Sequence, residues 1–203
     1  MAAGKLVLVR HGLSVYNDQN RFTGWKDVDL NQQGINEAKQ AVGLLANYKF
    51  DMAFTSDLVR AQDTLNIILE GIEQTNIPVV KNFALNERDY GDLVGLNKQE
   101  TADKFGKDQV HIWRRSYDTP PPNGESLKDV VERVSPYFKK NIKPLLVQNN
   151  NILIAAHGNS LRAMMIELGM YKPEEISSIE LPTGSPLCIN LEGSQLVDFF
   201  YLS

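Results

Sequence analysis

At 203 residues the chain is long enough to bury a sizeable core and suits one α/β domain better than two small ones. Apolar residues at 42% and charged residues at 23% are ordinary for a water-soluble globular protein, and no stretch approaches the roughly 18 apolar residues of a membrane span. The net charge of −4 argues against broad binding to nucleic acid, so an anion site here must be a local cationic pocket, shielded from the global charge beyond a Debye length of about 8 Å.

Met1-Ala2-Ala3-Gly4-Lys5 runs into the first apolar segment with no leader pattern, so a cytoplasmic location is expected. Leu6 to Val9 are consecutively apolar and two of them are β-branched, which predicts a strand buried on both faces of a parallel sheet. Its carboxyl end carries Arg10-His11-Gly12. Open α/β sheets place ligands at strand carboxyl ends. A neutral imidazole there can attack phosphorus while a guanidinium grips phosphate oxygens, or His11 simply caps the strand. Ser14 to Trp25 reads as a loop over this strand end.

A helix opens at Leu30 or Asn31 and runs to about Tyr48, with Ile35, Ala38, Ala41, Val42 and Leu45 on one face. Phe50 to Thr55 is a second strand. Ser56 and Asp57 are N-cap candidates for the helix that follows with Leu58, Ala61, Leu65 and Ile68. Arg60 falls in its first turn, either solvated or aimed at the same sheet edge as a phosphate ligand. Ile77 to Leu85 is a third extended run, weakened by Pro78 and by Lys81-Asn82.

From Asn86 to Gly124 the sequence turns polar and irregular, an insertion over the sheet edge with helices at Asn97 to Phe105 and Asp108 to Ser116 and a loop at Asp118 to Gly124. It begins with Asn86-Glu87-Arg88-Asp89-Tyr90-Gly91, where Glu87 is a general acid or base if arginines and burial tune it, and otherwise a surface ion-pair partner. Ser126 starts an amphipathic helix that Pro136 and Pro144 should kink or segment. Asn151 to Ala156 is a second strongly apolar strand, ending in His157-Gly158-Asn159-Ser160, with a helix from about Ser160 to Met170. Pro186 to Leu191 and Gln195 to Tyr201, separated by Glu192-Gly193-Ser194, form a closing hairpin.

The strand-His-Gly pattern therefore occurs twice. If the two strands are parallel neighbours their imidazoles converge, one as nucleophile and one stabilising charge on a transferred phosphoryl group. The single cysteine, Cys188, excludes an internal disulfide and reads as a buried strand thiol. Three histidines, His11, His111 and His157, without HExxH or CxxC spacing offer no zinc site, and no metal is expected.

LVRHGLSVYN, FTGWKDVDLNQQG, TSDLVRAQDT, LNERDYGDLVGLNK, WRRSYDTPPP, AAHGNSLRA and LPTGSPL together resemble the cofactor-dependent phosphoglycerate mutases of the histidine phosphatase superfamily, nearly end to end. The resemblance implies a three-layer α/β/α fold with a mostly parallel central sheet of about six strands. It implies His11 as the phosphorylated nucleophile, with Arg10, Arg60 and His157 holding the transferring group and Glu87 moving the proton. Ser14, Asn17, Thr23, Gly24, Arg88, Tyr90, Lys98, Arg114, Arg115, Gly158 and Asn159 would line the substrate site. The implied reaction interconverts 2- and 3-phosphoglycerate and is primed by 2,3-bisphosphoglycerate, with small phosphoglycerates as partners and neither nucleic acid nor membrane.

Leu13 stands where the family often has a polar residue, and Tyr16 where tryptophan is common. The Pro122 to Ser126 segment is short, and the chain ends at Ser203 without the tail of longer members. Site closure is then expected from Ser14 to Trp25 and Asn97 to Gly124, and monomer or homo-oligomer stays open. The competing readings are a histidine phosphatase, a bisphosphoglycerate phosphatase or synthase, and a non-catalytic phosphoglycerate-binding module.

Overall fold

The computed structural model describes residues 4–193 and 195–203, so Met1 to Ala3 and Ser194 lie outside the described residues. Six strands, β1 (Lys5–Arg10), β2 (Met52–Thr55), β3 (Val79–Lys81), β4 (Ile152–Ala156), β5 (Pro186–Glu192) and β6 (Gln195–Tyr201), form one sheet in the order β3-β2-β4-β1-β5-β6. The first four are mutually parallel, and the closing hairpin β5–β6 adds the antiparallel edge.

Alternation along the central strands builds two cores. Leu6, Leu8, Ile152 and Ile154 face one side, where α6 (Leu127–Tyr137) and α8 (Gly158–Glu167) cover them through Val130, Val134, Ala163 and Met164. Val7, Val9, Leu153 and Ala155 face the other side, against α2 (Gln32–Leu45) and α3 (Val59–Gly71), which supply Ala41, Leu45, Leu65 and Ile68. A sheet covered on both faces explains the unbroken apolar runs of β1 and β4. No helix of the described residues is long and apolar enough to cross a membrane.

Several elements depart from the sequence reading. The loop after β1 contains one helical turn, α1 (Val15–Asp18), because the Ser14 hydroxyl accepts from the Asn17 N–H as an N-cap. The long helix stops at Leu45, short of Tyr48. The Ile77 to Leu85 run yields only the three residues of β3, since the Asn82 side chain accepts from the Ala84 N–H and turns the chain into a 3-10 segment at Phe83–Leu85. α3 is capped by neither Ser56 nor Asp57: its N-cap is Leu58, without a side-chain cap bond. α8 begins at Gly158, two residues before the expected Ser160, and ends at Glu167.

The insertion carries α4 (Lys98–Phe105), capped by Asn97, and α5 (Lys107–Arg115). The proline-bearing helix after Ser126 is segmented as expected: α6, then a π-helical turn at Phe138–Ile142, then α7 (Lys143–Val147) with Pro144 in its first turn. Neither proline can donate a backbone N–H, and the wide turn keeps both Phe138 and Ile142 buried. A short α9 (Pro173–Ile176) follows α8.

Candidate active site

β1 and β4 pair with Arg10 opposite Ala156, so the next residue of each strand, His11 and His157, stands at the same height past the carboxyl edge. The His11 N–H donates to the Ala156 carbonyl at 2.9 Å, and the two rings lie 5.0 Å apart with planes at 58°. Both are buried. His11 Nδ1 lies 2.7 Å from the Gly12 carbonyl oxygen. A carbonyl only accepts, so Nδ1 carries the proton and Nε2 keeps its lone pair. His157 Nε2 lies 2.7 Å from Ser56 Oγ, and its Nδ1 is buried with no partner. Burial first, and the Arg60 charge second, hold both imidazoles well below the usual histidine range. Both are therefore neutral at physiological pH.

Arg60 and Arg10 act on both rings, and most anchors of the guanidinium groups around the site are backbone carbonyls. Arg60, wholly inside, donates to the Gly24 and Lys26 carbonyls at 2.9 and 3.1 Å, and Arg88 donates to that of Arg114 at 3.1 Å. Three more hold alternate carbonyls of the strap that follows α9: Arg115 takes Ser177, Arg162 takes Ile179 and Arg10 takes Leu181. Carbonyls fix a guanidinium without cancelling its charge. Burial pulls Arg60 down to about 10, which leaves it protonated at neutral pH. The Nε atoms of Arg10, Arg60 and Arg88 are buried and unpartnered.

Glu87 is the carboxylate within this shell. Its Oε1 accepts from the Arg88 N–H at 2.8 Å and from the Asn159 backbone and side-chain N–H groups at 3.1 and 3.0 Å. Burial alone would push the carboxyl up, but the Arg88 N–H, the Arg60 and Arg10 charges and the Asn159 amide outweigh it and hold Glu87 below the ordinary carboxylate range. The Glu87 backbone is fixed too, because its carbonyl accepts from Trp25 Nε1 at 2.7 Å and from Arg133 Nη2 at 2.8 Å.

A single cavity of about 190 Å³ joins these groups. Of the residues expected from the sequence, Arg10, His11, Asn17, Thr23, Gly24, Arg60 and Glu87 line it, as do Tyr90, Lys98, Arg114, Arg115, Gly158 and Asn159. Ser14, Arg88 and His157 are not among its lining residues. Ser14 donates to Asn17 Oδ1, Arg88 sits 4.5 Å from the Tyr90 ring, and the His157 ring lies 5.0 Å from that of His11. Arg114 and Arg115 both reach the cavity although they are neighbours, because it opens at the C-terminal end of α5.

Four lining residues escaped the sequence reading: Arg21, Phe22, Arg162 and Glu180. Arg162 had a signal, since it follows Gly158 by four residues and shares its helix face. Glu180, exposed and 3.1 Å from Arg115, had none. Among the described residues the lining carries seven arginines and lysines against Glu87 and Glu180, so it suits a ligand with several negative charges. No group of three or more His, Cys, Asp or Glu able to hold a metal occurs among the described residues.

Residues 6–197 match the profile of the Histidine phosphatase superfamily (branch 1). The 2,3-bisphosphoglycerate-dependent phosphoglycerate mutase of Xanthobacter autotrophicus is 54% identical over 194 residues, 95% of this chain and 94% of that protein. The protein of the same name from Nitrobacter hamburgensis is 53% identical over 199 residues, 97% and 96% of the two chains. Among solved structures, a mycobacterial glucosyl-3-phosphoglycerate phosphatase complexed with VO3 superposes with a TM-score of 0.81 at 26% identity, covering 92% of each chain. Profile, identity and a site built on paired strand-end histidines agree, and the chain belongs to the histidine phosphatase superfamily, branch 1.

Proposed function

We propose that this protein is a 2,3-bisphosphoglycerate-dependent phosphoglycerate mutase, interconverting 2- and 3-phosphoglycerate in cytoplasmic glycolysis through a phosphohistidine on His11. The observation that carries the reading is the His11 ring itself: neutral, committed through Nδ1 to the Gly12 carbonyl, and therefore nucleophilic at Nε2 inside a guanidinium shell. Relatives of that name above 50% identity over nearly the whole chain support the substrate.

The residues present fit a bisphosphate. Unpartnered Nε donors on Arg10 and Arg60 and the free His157 Nδ1 would hold the reacting phosphoryl group, while Lys98, Arg114 and Arg115 would hold the far phosphate or carboxylate. The cavity is smaller than the roughly 300–1,000 Å³ of drug-sized sites, which suits a three-carbon skeleton. The bisphosphate supplies the first phosphoryl group. There His11 Nε2 would form the bond to phosphorus as the ester P–O bond breaks, with the protonated Glu87 carboxyl giving its proton to the departing oxygen.

Glu87 closes the proton balance. It takes the proton of the substrate hydroxyl as that oxygen attacks phosphorus and the His11–phosphorus bond breaks, and returns it to the other oxygen when His11 accepts the second phosphoryl group. The Arg88 N–H and the Arg60 and Arg10 charges keep Glu87 ionised in the free enzyme. A bound dianionic phosphoryl group offsets those charges and lets burial raise its proton affinity, so the ligand itself prepares the acid.

The test is a coupled assay on 3-phosphoglycerate with and without 2,3-bisphosphoglycerate, beside phosphate release. Mutase turnover that depends on the primer, exceeds phosphate release and vanishes in His11→Ala is expected. Phosphate release matching or exceeding mutase turnover would make the protein a phosphatase, and undiminished turnover in His11→Ala would remove the phosphohistidine.

A further inference from the structure

Ser56 lies in the turn between β2 and α3, with its side chain fully enclosed. Its backbone is held, because the Ser56 carbonyl accepts from Gln62 Nε2 at 3.2 Å and the next N–H, of Asp57, donates to Asn86 Oδ1 at 3.0 Å. Its hydroxyl oxygen has two neighbours: the Leu58 N–H at 3.1 Å and His157 Nε2 at 2.7 Å. We propose that Ser56 is a positioning residue that locks His157 as the Nδ1–H tautomer, presenting that ring N–H to the phosphoryl group on His11.

The argument is a donor and acceptor balance. The Leu58 N–H can only donate, so it occupies a lone pair of the Ser56 oxygen. The hydroxyl hydrogen then needs an acceptor, and among the described residues the one acceptor bonded to Oγ is His157 Nε2. When the hydroxyl donates, Nε2 accepts and the ring proton sits on Nδ1. The opposite tautomer would strand the hydroxyl hydrogen in a buried site, at the full desolvation cost of an unmade bond. It would also leave a lone pair on Nδ1, the buried nitrogen without a partner, where phosphoryl oxygens need a donor. His157 is thus a neutral donor, which stabilises developing charge without adding a further cation beside Arg10 and Arg60.

The kinetic consequence rests on the phosphohistidine reading of His11, while the tautomer does not. The experiment is ring 15N NMR of wild type and Ser56→Ala, together with their steady-state kinetics. With three histidines in the chain, His111→Asn and His11→Asn assign the signals. Wild type should show His157 protonated at Nδ1. Ser56→Ala should show tautomer exchange and lose about 10- to 100-fold in kcat, the range that follows loss of the hydrogen-bond partner orienting a metal-ligating histidine, with KM nearly unchanged. An Nε2–H signal in wild type would overturn the proposal even if the variant failed to fold, and so would an unchanged Nδ1–H signal in a folded Ser56→Ala. A locked tautomer in a protein without mutase turnover would leave this inference standing and remove the mutase reading instead.

Discussion

Gly34, buried in the first turn of α2, lies against the backbone of the loop that carries His11. A Cβ added there would sit 2.2 Å from the Leu13 carbonyl oxygen and 2.6 Å from the Leu13 nitrogen, where ordinary contact begins at 3.4 Å. Those atoms are backbone, pinned by the Asn31 N–H to the Leu13 carbonyl and by the Leu13 N–H to Glu37. Gly34→Ala must therefore push helix and loop apart by about 1.2 Å, and Gly12, whose carbonyl fixes the His11 tautomer, moves with the loop. A misplacement of about 1 Å at reacting groups costs on the order of 100-fold, so kcat should fall by about that factor. Helix propensity predicts the opposite, a gain of about 1 kcal/mol from glycine to alanine. Gly43→Ala supplies the control. It lies in the same helix, exposed, with nothing within 4 Å of the added carbon, so it should keep full activity and raise Tm by a few degrees. Wild-type kcat in Gly34→Ala, measured beside Gly43→Ala by the same coupled assay, would refute the close approach.

Arg114→Ala and Arg115→Ala should lower mutase turnover by about 30-fold or more while hydrolysis of a small phosphate ester falls less, since both side chains line the cavity from the C-terminal end of α5. An equal fall in both activities would place them at the reacting phosphate. Burial depresses His11 and His157, so the unfolded chain binds protons first as pH falls. Folding stability should be full above about pH 6.5 and decline below it by about 1.4 kcal/mol per pH unit for each histidine, read by denaturant titration. A flat profile between pH 6.5 and 5 would mean that the rings protonate in the native state. Activity should survive EDTA, because guanidinium groups neutralise the phosphates. Loss on chelation with recovery on manganese or magnesium would contradict the mechanism.

The sequence reading was strongest where one physical demand set the pattern. β1 and β4 are covered on both faces, so their apolar runs were unbroken and their ends unmistakable, and the histidines converge because the strands pair in parallel. It was weakest where local hydrogen bonds compete with periodicity. The Asn82 side chain cut β3 to three residues, and the Ser14 cap made a helical turn inside a loop. The π turn at Phe138–Ile142 answers to core packing and two missing amide protons together, which spacing alone does not express. Ser56 is one of two N-cap candidates by sequence, but besides the Leu58 N–H its hydroxyl meets His157, a partner 101 residues away. Glu180 reaches the cavity only through the path of the strap, which has no periodic signature.

The alternate carbonyls of Ser177, Ile179 and Leu181, each gripped by a different arginine, have a consequence for how the site meets its surroundings. Mutual repulsion among these cations is overcome once, during folding, by peptide dipoles that carry no net charge. The ligand need not gather the arginines around itself, so little reorganisation remains for the moment of reaction. A well of positive potential set into an acidic molecule is open to any small anion. Sulfate and vanadate should compete with substrate, and the apparent KM should climb with ionic strength while kcat holds.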